Sequence, residues 1–320
     1  MKSFKNTLRK FKKKNLTFAY FWNEYKRFKW NLTYKFQSDY SFICRQYKKE
    51  CKREIDLKNP QRFTEKLQWL KLFYRDSSMT AASDKYAVRE YLNNLGYGEL
   101  LNELIAVYDN VDDIDVDALP ERFVLKASHG SGWNLIVKDK STVDWKRQKR
   151  IMKSWLKQNL AWFGREWNYA GQKPRIIIEK YLEDDSGELR DFKFFCFNGE
   201  PQVLEVDELR MTNHKRLYAD IDGNIFPMYD APDMQQLKSF EIKEIHREMT
   251  KLAREISKPF PHARVDFYEC NGKIYFGEIT FFDSSGFIVY EPDEYDFIFG
   301  KDLKLPEPNY NLELYKKIQN

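Results

Sequence analysis

Residues 262–286 read HARVDFYECNGKIYFGEITFFDSSG. Polar and apolar residues alternate from Arg264 through Val265, Asp266, Phe267 and Tyr268, and again from Ile274 to Ile279. That period predicts two strands, with Asn271-Gly272 as the turn pair that tolerates positive φ. Arg264 and Asp266 then share one face of the first strand, and Glu278 and Thr280 one face of its partner. If those faces coincide, two carboxylates and a guanidinium meet on one sheet. Such a cluster is costly unless a divalent cation or an anionic ligand joins it. An exposed hairpin with solvated charges is the plainer alternative.

Upstream, residues 122–138 (RFVLKASHGSGWNLIVK) predict a strand, a small polar loop at 128–132, and a second strand. Gly130 and Gly132 let backbone N–H groups approach a phosphate closely, and Lys126 would need an anion if buried. No helix follows the glycines, so the pattern is neither of the common phosphate-loop fingerprints; an ordinary glycine hairpin is the alternative. Asn59-Pro60 opens a new element, and a helix is predicted over residues 62–74. Ser83-Asp84 reads as the cap of a helix over 85–95 ended by Gly96, with Lys85 in its first turn. Further helices are expected over 142–160 and 233–258. Residues 175–182 (RIIIEKYL) suit a buried central strand whose end is a hinge. Hairpins are predicted about Asn198-Gly199 and Asp222-Gly223. The aromatic segment with Trp162, Phe163, Trp167 and Tyr169 reads as a binding surface or a packed cover.

Aromatic residues make up 17% of the 320 residues and occur in short runs such as FKFFCF, which favours packed sheet over disorder. The four cysteines form no CxxC pair and the four histidines no zinc-ligand spacing. Reduced thiols, no apolar run long enough to span a bilayer and no signal-peptide core together predict a cytoplasmic protein. Residues 1–53 hold sixteen Lys/Arg against three Asp/Glu, while the rest of the chain is acidic. A basic arm on an acidic body suggests a polyanionic partner. Phe4, Leu8 and Phe11, then Tyr25, Phe28, Leu32 and Phe36, fit helical faces. Three readings of the arm follow: a helix packed on the body, a peripheral anchor at the inner membrane face, or a groove for an acidic polymer. No nucleic-acid reading motif is present, and no nucleic-acid partner is expected.

The order of these parts resembles an ATP-grasp enzyme, most closely the TupA-like branch associated with teichuronopeptide and other surface-polysaccharide synthesis. The matching segments are NPQRFTEKLQWLKLF, SDKYAVREYL, FVLKASHGSGWN, IIIEKYL, DFKFFCFNGEPQ, RVDFYE and GEITFFDSSG. The resemblance implies an α+β fold of two lobes whose antiparallel sheets clamp ATP, preceded by the basic helical arm. The implied division is an arm over 1–58, a helical lead-in over 59–121, an N-lobe over 122–183 and a C-lobe over 184–320.

Carried over by position, Lys85 and Lys126 would hold the α- and β-phosphates, under a loop comprising Ser128, Gly130, Ser131 and Gly132. Glu179, Lys180, Tyr181 and Leu182 would form the adenine hinge, and one of Asp184, Asp185 and Glu188 would meet the ribose. Lys193 resembles a further phosphate-side lysine. Asp266 and Glu278 would hold Mg²⁺. Where the family pattern has Asn, this chain has Thr280, whose hydroxyl can still coordinate. Arg264 would neutralise the transferred phosphoryl group, and Arg210, Ser284, Ser285 and Gly286 would face the substrate. His129 and His214 are the candidate bases, His129 being carried as catalytic.

The implied reaction is phosphorylation of a carboxylate by ATP and attack of an amine on the acyl phosphate. In this branch the carboxylate would belong to a hexuronic acid of an acidic glycan or its lipid-linked precursor, and the nucleophile to an amino acid or amine. The alternative is a sugar-nucleotide glycosyltransferase using Asp115-Val116-Asp117 or Asp220-Ile221-Asp222 as a metal pair.

Overall fold

A computed structural model describes residues 16–185, 189–209, 213–230 and 235–320, with side chains of residues 16–24 and 26 left aside. The expectations for Phe4, Leu8, Phe11, Glu188 and Arg210 therefore lie outside the described residues.

Two antiparallel sheets organise the chain. The first has the order β1-β4-β2-β3, with β1 at Leu104–Tyr108, β2 at Phe123–Ala127, β3 at Asn134–Val137 and β4 at Ile176–Lys180. The lead-in expected to be helical thus donates an edge strand, because its apolar run LIAVY pairs with β4. Alternation decides the faces of β2. Phe123, Leu125 and Ala127 are buried against Met152, Ile176 and Ile178, while Val124 and Lys126 turn the other way.

The second sheet runs β11-β10-β5-β6-β7-β8. Its strands are β5 (Arg190–Phe197), β6 (Glu200–Glu208), β7 (Lys215–Asp220), β8 (Ile225–Phe226), β10 (His262–Cys270) and β11 (Lys273–Thr280), with short β9 (Gln235–Gln236) parallel to β7. Asn198, Gly199, Asn271 and Gly272 all adopt positive φ, as the predicted two-residue turns require. Phe192, Phe194, Leu204, Val206, Val265 and Phe267 belong to one large apolar core. Each fully buried side chain of this kind contributes about 1.5–3 kcal/mol. The opposite face of β5, β6, β7 and β10 carries Asp191, Lys193, Glu205, Asp207, Arg216, Arg264 and Asp266. It is the floor of the site.

The helices are α1 (Leu16–Phe36), α2 (Asp39–Cys51), α3 (Phe63–Phe73), α4 (Ser77–Ser83), α5 (Val88–Asn94), α6 (Trp145–Leu156), α7 (Ala161–Gly164), α8 (Glu244–Ser257), α9 (Glu294–Asp302) and α10 (Leu312–Gln319). Several are shorter than the sequence predicts. The Asp84 carboxylate caps the N–H groups of Tyr86 and Ala87, so α5 starts three residues after Lys85, which lies in the preceding turn. Asp144 caps α6 at the Arg147 N–H, which removes residues 142–144 from the expected helix. The helix expected from 233 begins at Glu244. Phe240 and Ile242, two apart, both pack against the core, a spacing suited to extended chain. The aromatic segment after α6 is a packed cover: Asn168 and Tyr169 are buried and Trp30 packs against Phe163 with its ring tilted.

α1 forms where the sequence predicts a helix, but the stripe Tyr25, Phe28, Leu32 and Phe36 faces solvent. Contact is made by the opposite side. Trp30 packs on Phe42, and the Arg165 guanidinium donates to the carbonyls of Thr33, Tyr34 and Gln37 at 2.9–3.1 Å, satisfying the helix's terminal acceptors.

His262 is buried between Phe63 and Phe197, its Nδ1 donating to the Cys196 carbonyl at 3.1 Å. Burial lowers it to about 3. Neutral histidine therefore contributes stability that is fully present above the unfolded value near pH 6.5 and lost as pH falls toward 3. His262→Phe should flatten the acid limb of urea-midpoint-against-pH in that window by on the order of 3 kcal/mol. An unchanged acid limb would refute a neutral buried imidazole.

Candidate active site

The register of β10 and β11 places Asp266 opposite Glu278 and Arg264 opposite Thr280, so the two faces coincide. Arg264 donates to both oxygens of Asp266 at 2.8 Å, lies 3.8 Å from Glu278, and also holds Asp283. The fork geometry is the strong, bidentate form of the ion pair. Gly277 permits the approach: a Cβ there would sit 3.0 Å from the Asp266 carbonyl oxygen.

Two lysines approach this cluster from outside the second sheet. Lys85 Nζ lies 2.8 Å from Glu278 Oε2 and donates to the Gly130 carbonyl at 2.8 Å. Lys126 projects from the opposite sheet to Glu179 Oε2 at 2.7 Å, near enough to Glu278 to act on its charge. Burial raises Glu278, but Lys85 and then Arg264 outweigh it and hold the carboxyl down to about 2. Burial dominates at Asp266 and pushes its carboxyl up to about 8 against the pull of Arg264. Lys85, from the turn before α5, thus meets Glu278 of the second sheet, with Lys126 of the first sheet near it.

The fit of a magnesium ion follows from the donor set. No group of three or more His, Cys, Asp or Glu able to hold a metal occurs among the described residues. Mg²⁺, however, is characteristically held by one or two carboxylates plus substrate phosphates and water. Two register-paired carboxylates with the Thr280 hydroxyl beside them match that pattern.

The other expected residues fall in varied places. Ser128 is buried and donates to Asp84 at 2.9 Å, while Ser131 and Gly132 are exposed at the loop tip. A side chain at Gly130 would collide with the Trp133 ring, so this glycine serves packing as well as any ligand. His129 is not brought to the cluster. It is buried against Trp133, its Nε2 facing the Trp155 carbonyl at 3.2 Å. Lys180 has its N–H bonded to the Glu103 carbonyl and its carbonyl to the Asn102 side chain. Asp184 and Asp185 are tied to Asn271 at the tip of the β10–β11 turn.

Lys193 is buried among Glu205, Asp207 and Asp191 rather than directed at open space. Both Asp115 and Asp220 accept turn N–H groups, an ordinary turn role for each DxD triplet.

Ser284, Ser285 and Gly286 all adopt left-handed φ of 47–63°, a costly conformation for serine. Residues distant in sequence hold it. Gln68 and Lys71 donate to the Ser285 carbonyl, and Ser285 Oγ donates to Glu166 at 2.5 Å. Burial lowers Lys71 to about 7. Ser284 itself stays exposed. Sequence reasoning missed Gln68, Lys71, Glu166 and Asp283. Asp283 alone had a signal, since it lies next to the small-residue run.

Lys85 from the turn before α5 and Lys126 from the first sheet thus approach an acid–arginine cluster on the second sheet. The chain belongs to the TupA-like ATP-grasp family, whose model matches residues 65–304. ATP-grasp ligases are enzymes that use ATP and Mg²⁺. No curated protein matches the chain. Among solved structures it is similar to D-alanine–D-alanine ligase from Bacillus anthracis, at 19% identity and TM-score 0.37 over 62% of this chain and 57% of that one. It is also similar to the Helicobacter pylori D-alanine–D-alanine ligase, at 13% identity and TM-score 0.43 over 76% and 70%. A third is N5-carboxyaminoimidazole synthase from Aspergillus clavatus, at 12% identity and TM-score 0.36 over 64% and 45%. The chain thus spans little more than half the length of the first.

Proposed function

We propose that this chain is an ATP- and Mg²⁺-dependent carboxylate–amine ligase working through an acyl phosphate. The observation that carries the reading is the meeting of Lys85 from the first lobe with the Arg264–Asp266–Glu278 cluster of the second. A triphosphate placed there meets cations on both sides. Lys85 and Lys126 would exchange their carboxylate partners for phosphate oxygens, and Glu278, freed of Lys85, would share a metal with Asp266. Asp266 and Glu278 would hold Mg²⁺, which would supply charge neutralisation to the phosphate oxygens and the ADP leaving group.

One oxygen of the substrate carboxylate attacks the γ-phosphorus and ADP leaves. The amine then attacks the acyl carbon, phosphate departs, and the amine nitrogen gives up a proton. Arg264 offsets charge on the transferred group, so catalysis rests on positioning and electrostatics. Of the histidines, His214 is the better candidate for that proton: it is half-buried, with Nε2 2.8 Å from Asp207. The strained 284–286 loop would receive the carboxylate substrate, Ser284 presenting its hydroxyl.

The acceptor we propose is a hexuronic acid of a surface polysaccharide or of its lipid-linked precursor, joined to an amino acid or amine. We also propose that residues 59–183 and 184–320 act as the two lobes, β1 belonging to the first. Incubation with ATP–Mg²⁺ and a panel of uronic acids and amino acids, scored for ADP and amide product by mass spectrometry, tests the reaction. Absence of ADP with every acceptor, together with no ATP binding, would sink it. Lys126→Ala should weaken ATP binding about tenfold or more by isothermal titration, since a charge-assisted contact contributes about 1.5–3 kcal/mol.

A further inference from the structure

The exposed stripe on α1 has a chemistry that the ligase reading does not use. Tyr25, Phe28, Leu32 and Phe36 are 56%, 65%, 46% and 81% exposed. At about 100° per residue they fall within an arc of about 80°. The same spacing puts Lys35 along one edge of the stripe and Lys29 along the other, and both are exposed. Four bulky apolar side chains in one row, on a segment with sixteen basic residues against three acidic ones, are unusual for a surface in water.

The helix cannot roll to hide this row. Its other side is fixed by Trp30 against Phe42 and Phe163, and by the buried Arg165 side chain bonded to the carbonyls of Thr33, Tyr34 and Gln37. Arg165 also stacks on Tyr34 and Phe42. The body thus presents the stripe outward.

We infer that α1 lies flat on an anionic lipid bilayer, with this row of side chains at the boundary between headgroups and acyl chains. Charge and shape select this occupant. An acidic glycan answers the lysines and can stack on single rings, but does not bury a continuous row of four apolar side chains. A second copy of the chain would bring like charges together along both edges of the row. A bilayer satisfies both features, because lysines beside an apolar row extend their ammonium groups to lipid phosphates while the row is buried. No helix among the described residues is long and apolar enough to cross a membrane, so the contact is in-plane.

Vesicle co-sedimentation of the full chain tests this without reference to nucleotide or turnover. Vesicles containing phosphatidylglycerol should retain the protein, and phosphatidylcholine vesicles should not. Phe28→Ser, Leu32→Ser and Phe36→Ser combined should lower partitioning at least about tenfold. Phe36→Ser alone, at the most exposed position, should lower it severalfold without touching any packed contact. Lys29→Gln and Lys35→Gln should each cost about fivefold at low salt and little at high salt.

Failure of the wild-type chain to sediment with anionic vesicles would overturn the inference. So would unchanged partitioning of the serine variants, which would assign the affinity to the remaining basic residues. Conversion of a dimer to a monomer by Phe36→Ser, without loss of lipid binding, would assign the row to self-association instead.

Discussion

Asp266→Asn is expected to lower turnover by at least about 10³-fold while leaving the chain folded and still able to bind ATP. The substitution keeps the shape of the side chain and one oxygen, but removes the negative charge that would hold the metal. The stability side has a sign that separates this site from a purely structural ion pair. Burial raises the Asp266 carboxyl above its ordinary value, to about 8. Its favourable contribution is therefore present below the unfolded value near pH 4 and lost as pH rises through 8. Asparagine carries no such loss, and Arg264 keeps Asp283 as a partner. The variant should then match or exceed the parent in Tm at pH 8, while product formation disappears. A variant that is both active and less stable would mark Asp266 as structural and remove the metal site from the second sheet.

The cluster around Asp266 was legible only in part: alternation pairs Arg264 with Asp266 and Glu278 with Thr280, but a regular hairpin about Asn271-Gly272 would set Asp266 opposite Gly277. A β-bulge between Asp266 and Phe267 shifts the register by one and brings Arg264, Asp266, Glu278 and Thr280 to one face. A second bulge, between Phe195 and Cys196, likewise sets Glu205 and Asp207 of β6 opposite Lys193 and Asp191. Lys193 resembles a phosphate-side lysine by position, and its buried partners lie across a hairpin whose bulge shifts the register. The support of the 284–286 loop was not legible. Gln68, Lys71 and Glu166 reach it from elements more than one hundred residues away, and only the folded chain brings them there.

Amphipathic spacing also left the orientation of α1 undetermined. Both its sides carry aromatic residues, and Arg165, far along the chain, selects the side with Trp30 and Tyr34. Helix ends moved for a local reason, since Asp84 and Asp144 cap N–H groups inside the expected helices.

The charge network beneath the cluster leads to a second large effect. Lys193→Met is expected to destabilise the chain by about 3–5 kcal/mol, because removing one partner leaves buried carboxylates uncompensated. Lys193 Nζ lies 2.5 Å from Glu205 and 3.7 Å from Asp191 and also bonds Asp207, with only 4% of its side chain exposed. Arg216 would then face Glu205, Asp207 and Asp230 without Lys193 beside it. The folded state holds Lys193 in its charged form despite burial, through Glu205 first and Asp191 and Asp207 after it. Adding Glu205→Gln should recover part of the loss, since it deletes one stranded charge, and urea unfolding of the four species measures that coupling. Loss of ATP affinity without loss of stability would instead make Lys193 a ligand for phosphate. A fall in both, with rescue of stability by Glu205→Gln, places Lys193 in the floor on which Arg264 and Asp266 stand.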